Sequence, residues 1–277
     1  MRQLAPDQYD RVRPLFARLR YNLVVDSVLD GHTPGWVYAD DAAAPRTAWL
    51  WNRMDAMLVA GDEADADAAA ALGTVIANRA VPDARSRHIP ELSLFYDGPA
   101  WQAPARALVS SWQPELAWRR FYAFERTRVD WRARLAPGCE MVPIDEVLLG
   151  DEALDNVSHV QGWVRSFWPS YQAFVETGFG YALLVGKTVA SWCLTVYAHA
   201  DQRELGLATA PEYRQRGYAT LVAAATVDHA AARGLGPHWH CWDDNAPSIK
   251  VAERVGFVAP VRYTVWRIGV ENRQMGA

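Results

Sequence analysis

Arg214, Gly217 and Ala219 stand at the spacing R-x-x-G-x-A inside the stretch PEYRQRGYAT, Pro211 to Thr220. An extended run, ELGLAT, precedes the stretch, and a long run rich in alanine, leucine and valine follows from Thr220. A loop that opens a helix presents unpaired backbone N–H groups at the positive end of the helix dipole. Such a place favours a bound phosphate. Gly217 removes a Cβ that would block close approach of the backbone, and Ala219 keeps the first turn narrow. Arg214 and Arg216 add positive charge, although the amides of residues 214–220, which include Gln215, Tyr218 and Thr220, would do most of the holding. The loop is not a Walker loop, because it lacks GK[ST]. It is not a dinucleotide fingerprint either, having one glycine in place of three.

A second group lies in HWHCWDDN, His238 to Asn245. His238 and His240 share one face of a strand with Asp243 close by, a pattern a metal could use. No third ligand follows at a recognisable spacing, so no metal is expected. Cys241 sits in the same apolar strand without an obvious base, and so is not read as a nucleophile. Cys139, Cys193 and Cys241 are an odd number without CxxC spacing, which reads as reduced, buried thiols. Asp243, Asp244 and Asn245 can each cap the helix that follows, with Pro247 in its first turn.

The elements that must position these residues are regular in the second half. GYALLV (180–185), the two-residue turn Gly186-Lys187 and TVASWCLTVYA read as a β-hairpin. ELGLAT is the next strand, a helix runs from Thr220 to Arg233, and Gly234 stops it. HWHCW is a strand, a helix ends at Gly256, and VRYTVWRI is the last strand. Ahead of them come a strand at 141–144, a helical stretch at 151–159 and a helix at 171–177. Residues 138–277 therefore read as a mixed α/β domain.

In the first half, residues 4–30 read as a helix. Strands are expected at GWVYADD, TAWLWN, AMLVAG and LSLFY, with an acidic-alanine helix or loop at EADADAAAALG. This is a fainter form of the same order without an R-x-x-G-x-A loop. It reads either as a degenerate repeat of the second half or as an unrelated α+β domain. The arginine-rich stretch 126–138, ending in Pro-Gly, marks the boundary, giving domains 1–125 and 138–277.

The 277 residues are 51% hydrophobic and 22% charged, which fits packed globular domains. A net charge of −4 gives no reason to expect nucleic acid or a membrane as partner. Lys187 and Lys250 are the only lysines among 28 Lys and Arg, which reads as coding bias. No apolar run approaches the ~18 residues of a membrane span, and the first residues lack a signal-peptide core, so a cytoplasmic protein is expected.

Arg214–Ala219 followed by NAPSIKVAERVGF (Asn245–Phe257) resembles the GCN5-related N-acetyltransferase (GNAT) superfamily. FVETGFGYALLV, ASWCLTVY and PHWHCWDDN resemble more narrowly the branch typified by the zwittermicin A resistance acetyltransferase. The resemblance covers about residues 138–260 well, and the first half only loosely, through GWVYADD and Pro45. It implies a V-shaped splay between the strands 204–209 and 238–242, with acetyl-CoA as co-substrate inside it. Backbone of Leu207, Ala208 and Thr209 would pair with the pantetheine amides, the loop would hold the pyrophosphate, Asn245 would bond the pantetheine arm, and Ser248 would lie near the thiol. The resemblance also admits a homodimer.

Acyl transfer from a thioester to an amine needs a neutral amine, donors for the developing oxyanion and a proton for the leaving thiolate. Glu204, which opens the strand, is the first candidate base; its alternative is an edge glutamate in a salt bridge. His240 is the second candidate, and its alternative is a core histidine. Many GNAT proteins carry a tyrosine where this chain has Ala252. The expected function is N-acetylation of a small-molecule primary amine in a ternary complex, with Trp163, Trp168, Phe179 and Tyr181 lining the acceptor side. The alternatives are a non-catalytic acyl-CoA-binding regulatory module and a protein or peptide N-acetyltransferase.

Overall fold

The computed structural model describes residues 1–270, apart from the side chain of Ala259. Its contacts divide the chain into two units: Met1–Trp118 together with the chain from Thr264 onward, and Arg119–Tyr263. The boundary expected at 126–138 falls elsewhere because two strands run across the dividing lines, β6 at Glu115–Phe124 and β12 at Phe257–Gly269. Residues 271–277, the end of the expected second domain, lie outside the described residues.

In the first unit, β1 (Arg2–Gln3), β2 (Trp36–Ala39), β3 (Thr47–Trp51) and β4 (Ala56–Gly61) pair antiparallel in that order. The helix expected over 4–30 is instead two 3-10 segments, Pro6–Arg11 and Arg13–Leu19, and a short α1 (Val24–Leu29). Pro6 and Pro14 lack the N–H that a continuous α-helix needs and restart the winding at each segment. After β4 come α2 (Ala66–Val75), capped by the Asp65 side chain accepting from Ala68 N, and α3 (Val81–Ser86). Then β5 (Glu91–Tyr96) pairs parallel with β4 from Ala56↔Ser93 to Val59↔Tyr96. α4 (Gln102–Leu108) follows, and residues 266–269 close the unit antiparallel to β5. Trp49, Trp51, Met57, Leu94, Trp101 and Ile268 fill its core.

The second unit repeats this scheme. β7 (Cys139–Pro143), α5 (Glu146–Gly150), α6 (Val157–Phe167) and α7 (Tyr171–Thr177) lead into β8 (Gly180–Val185), β9 (Thr188–His199) and β10 (Gln202–Thr209). α6 starts later than expected because Asp155 bridges Thr188 and Asn156 takes a left-handed φ of 65°. β7, β8, β9 and β10 are antiparallel neighbours. α8 (Tyr218–Ala232) returns the chain to β11 (Gly236–Trp242), parallel to β10. α9 (Ala246–Val255) follows, and residues 119–122 of β6 pair antiparallel with β11. In each unit the strand beyond the parallel one is thus supplied by the other half of the sequence.

α8 buries Leu221, Val222, Ala223, Ala224 and Val227 among Leu205, Trp239 and Phe257. Each buried Leu or Val contributes about 1.5–3 kcal/mol relative to exposure. This packing fixes the N-terminus of α8 at the end of β10. No helix among the described residues is long and apolar enough to cross a membrane.

Candidate active site

β10 pairs with β9 along its whole length, from Gln202↔His199 to Thr209↔Ser191. Its pairing with β11 covers only Gln202↔Gly236, Arg203↔Pro237 and Glu204↔His238. From Trp239 to Trp242, β11 pairs along its opposite edge with β6 and has no register with β10. The two parallel strands therefore part after Glu204. At the same place the β9 register jumps from Tyr197, opposite Glu204, to Thr195, opposite Leu205. A bulge of this kind bends and overtwists the strand locally. Leu207, Ala208 and Thr209 lie beyond the parting point, with no register to β11 on that edge. In the first unit, the equivalent parallel pair stays joined through four register positions, up to Val59 of the Ala56–Gly61 strand.

The loop after β10 is wound by a left-handed Gln215, with φ 62°, and a left-handed Gly217, with φ 81°. Gly217 is the N-cap of α8, and its carbonyl accepts from Thr220 N at 3.0 Å and Leu221 N at 3.3 Å. Among the described residues, no backbone hydrogen bond is donated by the N–H groups of 215–219. A Cβ built on Gly217 meets nothing within 4 Å, so the glycine leaves an open approach. Arg214 Nε donates to Thr209 O at 3.3 Å, and Arg216 Nη2 donates to Glu212 O at 3.2 Å while lying over the Tyr213 ring. Both arginines brace the loop and leave it cationic. Unsatisfied amides, a helix N-terminus and exposed guanidinium charge fit a diphosphate.

Glu204 and His240 come together. Glu204 is 8% exposed, and its Oε2 lies 3.9 Å from His240 Nε2. His240 Nδ1 is 2.9 Å from the Tyr263 hydroxyl, which accepts from Arg119 Nε at 3.2 Å. Phe121 stacks on His240 with ring centroids 4.8 Å apart. Burial pushes the Tyr263 phenol up to about 12. Phe121, Tyr263 and Arg119 carry no motif in the sequence. They reach His240 from β6 and β12, and only strand register reveals them.

The other candidates are spread more widely. The Asn245 side chain caps α9, accepting from Ser248 N at 3.1 Å. Ser248 Oγ accepts from Trp239 Nε1 at 3.1 Å, so its hydroxyl is turned onto β11. His238 Nε2 meets Gln202 Oε1 at 2.8 Å, and Asp243 is ion-paired to Arg120 and Arg262. Among the described residues, no group of three His, Cys, Asp or Glu side chains is placed to hold a metal ion. Burial pushes Cys193 up to about 12 and raises Cys241.

Ala252 is fully buried in the core beside Trp239 and Phe257. A tyrosine there must displace packed side chains, and overpacking costs about 1–3 kcal/mol. Ala252→Tyr is therefore expected to lower the denaturant midpoint without raising turnover. Chemical unfolding with an unchanged slope checks this.

Trp163 on α6 stands over Gly206, where a Cβ would come within 2.8 Å of its ring and 2.5 Å of Val196 Cγ1. Only glycine admits this approach, two residues along β10 from Glu204. Trp163 meets Trp192 and Phe167 edge-on at 6.0 Å. The other aromatics expected near it are elsewhere. Trp168 is 2% exposed, packed on Phe174, with its indole N–H on Thr195 O. Phe179 and Tyr181 lie against His229 of α8.

A model of the GNAT acetyltransferase family matches residues 13–266. An uncharacterized N-acetyltransferase, YdfB, of Bacillus subtilis (strain 168) is 24% identical over 269 residues, covering 97% of this chain and 99% of that protein. The crystal structure of a GCN5-related N-acetyltransferase-like protein from Streptococcus suis 89/1591 superposes with a TM-score of 0.68 at 20% identity, covering 95% of this chain and 98% of that one. A tandem GNAT protein from the clavulanic acid biosynthesis pathway superposes with a TM-score of 0.57 at 14% identity, covering 98% of both chains. These likenesses span both units, and the paired strand schemes agree with a two-domain GNAT fold. The chain belongs to the GNAT acetyltransferase family.

Proposed function

We propose that this acetyltransferase moves an acetyl group from acetyl-CoA to a primary amine of a small molecule by direct transfer. The observation that carries the reading is the parting of β10 and β11 after Glu204, with the amide-rich start of α8 at the far end of β10. The loop residues Arg214, Gln215, Arg216, Gly217, Tyr218, Ala219 and Thr220 would hold the pyrophosphate, chiefly through backbone N–H groups. The edge at Leu207, Ala208 and Thr209 would take the pantetheine amides as an added strand. Asn245 and Ser248 would flank its arm from the start of α9.

The co-substrate supplies an activated acyl carbon. Glu204 accepts the proton that the amine must lose, at the point where the strands begin to part. His240 faces the same carboxylate. A bond from nitrogen to the acyl carbon forms, the carbon–sulfur bond breaks, and the sulfur leaves as thiolate or thiol. No covalent intermediate on the protein is needed when both substrates are held together. Half-buried Trp163 and Phe167 offer the acceptor an aromatic wall beside this carboxylate, which suits a small organic amine.

Calorimetric titration with acetyl-CoA, followed by thiol release across a panel of amines, tests this. Binding near micromolar or tighter, with thiol release that depends on a small amine, is expected. Binding without amine-dependent release would make the chain a non-catalytic module. Release only with lysine peptides would make it a protein acetyltransferase. No binding would overturn the site itself.

A further inference from the structure

We infer that Tyr263 and Arg119 are positioning residues, which fix the ring proton of His240 on Nε2 and so keep an N–H turned toward Glu204. The inference rests on the reading of Glu204 as the proton acceptor.

The direction of each hydrogen bond follows from the donors available. A guanidinium can only donate. Arg119 Nε therefore gives its proton to the Tyr263 oxygen at 3.2 Å. The phenol keeps its own proton through the neutral range, since burial pushes it up to about 12. The guanidinium charge repels that O–H from its own side of the oxygen and turns it the other way. His240 Nδ1 lies 2.9 Å from the same oxygen and receives it. Nδ1 then carries the lone pair, and a neutral ring must hold its proton on Nε2. That is the nitrogen 3.9 Å from Glu204 Oε2. In the opposite tautomer, the phenol oxygen would face two donors at once and its own proton would turn away from Nδ1.

The ring is pinned as well as oriented. Phe121 stacks on it at 4.8 Å, with 30° between the planes. Register places Phe121 opposite His240 on β6. Arg119, two residues earlier on the same strand, also lies over the Trp242 ring at 4.5 Å. Three strands therefore deliver Arg119, Tyr263 and His240 as a file of donors that ends on a carboxylate. At 3.9 Å the last contact is longer than a direct hydrogen bond. It acts as an oriented dipole that favours the anionic carboxylate, the form able to take a proton. The same arrangement keeps His240 from offering its own lone pair there.

Nitrogen-15 histidine spectra of the full chain read the tautomer directly. The His240 signals are expected to show a protonated Nε2 and an unprotonated Nδ1. Tyr263→Phe keeps the ring and deletes the hydroxyl. It should abolish the tautomer preference and lower kcat about tenfold, the scale of one lost hydrogen bond. Acetyl-CoA affinity should stay within about twofold, which also certifies the fold. Arg119→Gln, which keeps a donor but not the charge, should loosen the preference in the same direction. A native ring protonated on Nδ1 overturns the inference. So does a Tyr263→Phe chain with unchanged tautomer or unchanged kcat. If no amine is acetylated by the native chain, the proposed function falls, and the positioning role toward that reaction falls with it. The tautomer still reports separately on the geometry.

Discussion

Glu204→Gln is expected to lower kcat/KM for the amine by about 10²–10⁴-fold near neutral pH, the range contributed by a positioned general base. Glutamine matches the carboxylate in shape, so the packing of this 8%-exposed side chain is retained. On the proposed role of Glu204, what it loses is the ability to take the proton from the incoming ammonium. The defect should therefore shrink as pH rises toward ~10, near the ordinary pKa of an aliphatic amine, because solvent then supplies the neutral nucleophile. A glutamate that only braced the strand would give a deficit that does not vary with pH. Steady-state rates of thiol release from pH 6 to 10 separate the two. Acetyl-CoA affinity should be nearly unchanged, since the loop proposed to hold the pyrophosphate lies at the other end of β10.

That geometry was partly legible in the sequence. Signals carried by a few adjacent residues match the structure: the Gly186-Lys187 turn, the place of R-x-x-G-x-A in a loop that opens a helix, and the Asn245 cap with Pro247 behind it. Each depends on local backbone chemistry, such as the left-handed φ of 81° at Gly217. The parting of β10 from β11 was reached only through resemblance. It shows in the structure as the end of the β10–β11 register at Glu204, beside a bulge against β9, and both are non-local pairings. β6 itself carries no clear strand signal, because Arg119 and Arg120 interrupt its apolar pattern. Tyr263 and Arg119 lie far from His240 in sequence and reach it only when the strands are in register. Phe179 and Tyr181 were placed on the acceptor side from proximity along the chain. Strand parity puts Tyr181 opposite Cys193, in the core on the α8 side, and the two rings contact His229. The first-half repeat was visible as an order of elements. Its lack of a splay became visible only in the four-residue register of Ala56–Val59 with Ser93–Tyr96.

Gly217→Glu should reduce acetyl-CoA affinity at least 100-fold, about 2.8 kcal/mol at the conversion of 1.4 kcal/mol per tenfold. Two effects act together. A side chain at φ 81° costs about 1–2 kcal/mol of backbone strain, which the loop relieves by moving the amides of Tyr218 and Ala219 out of line. The carboxylate also enters the open approach where a diphosphate would sit, so like charges meet at a helix N-terminus. Gly217→Ala separates the terms, since it carries the strain without the charge. Its loss should be smaller, about tenfold, and insensitive to salt. The glutamate variant should recover part of its deficit between low and high ionic strength as screening weakens the repulsion. Calorimetry at two salt concentrations reads both. If the glutamate chain, still folded by its unfolding midpoint, bound acetyl-CoA as the native chain does, the loop would not be the pyrophosphate site. The parted strands would then have to take the co-substrate without the amides that make this end of the cleft positive.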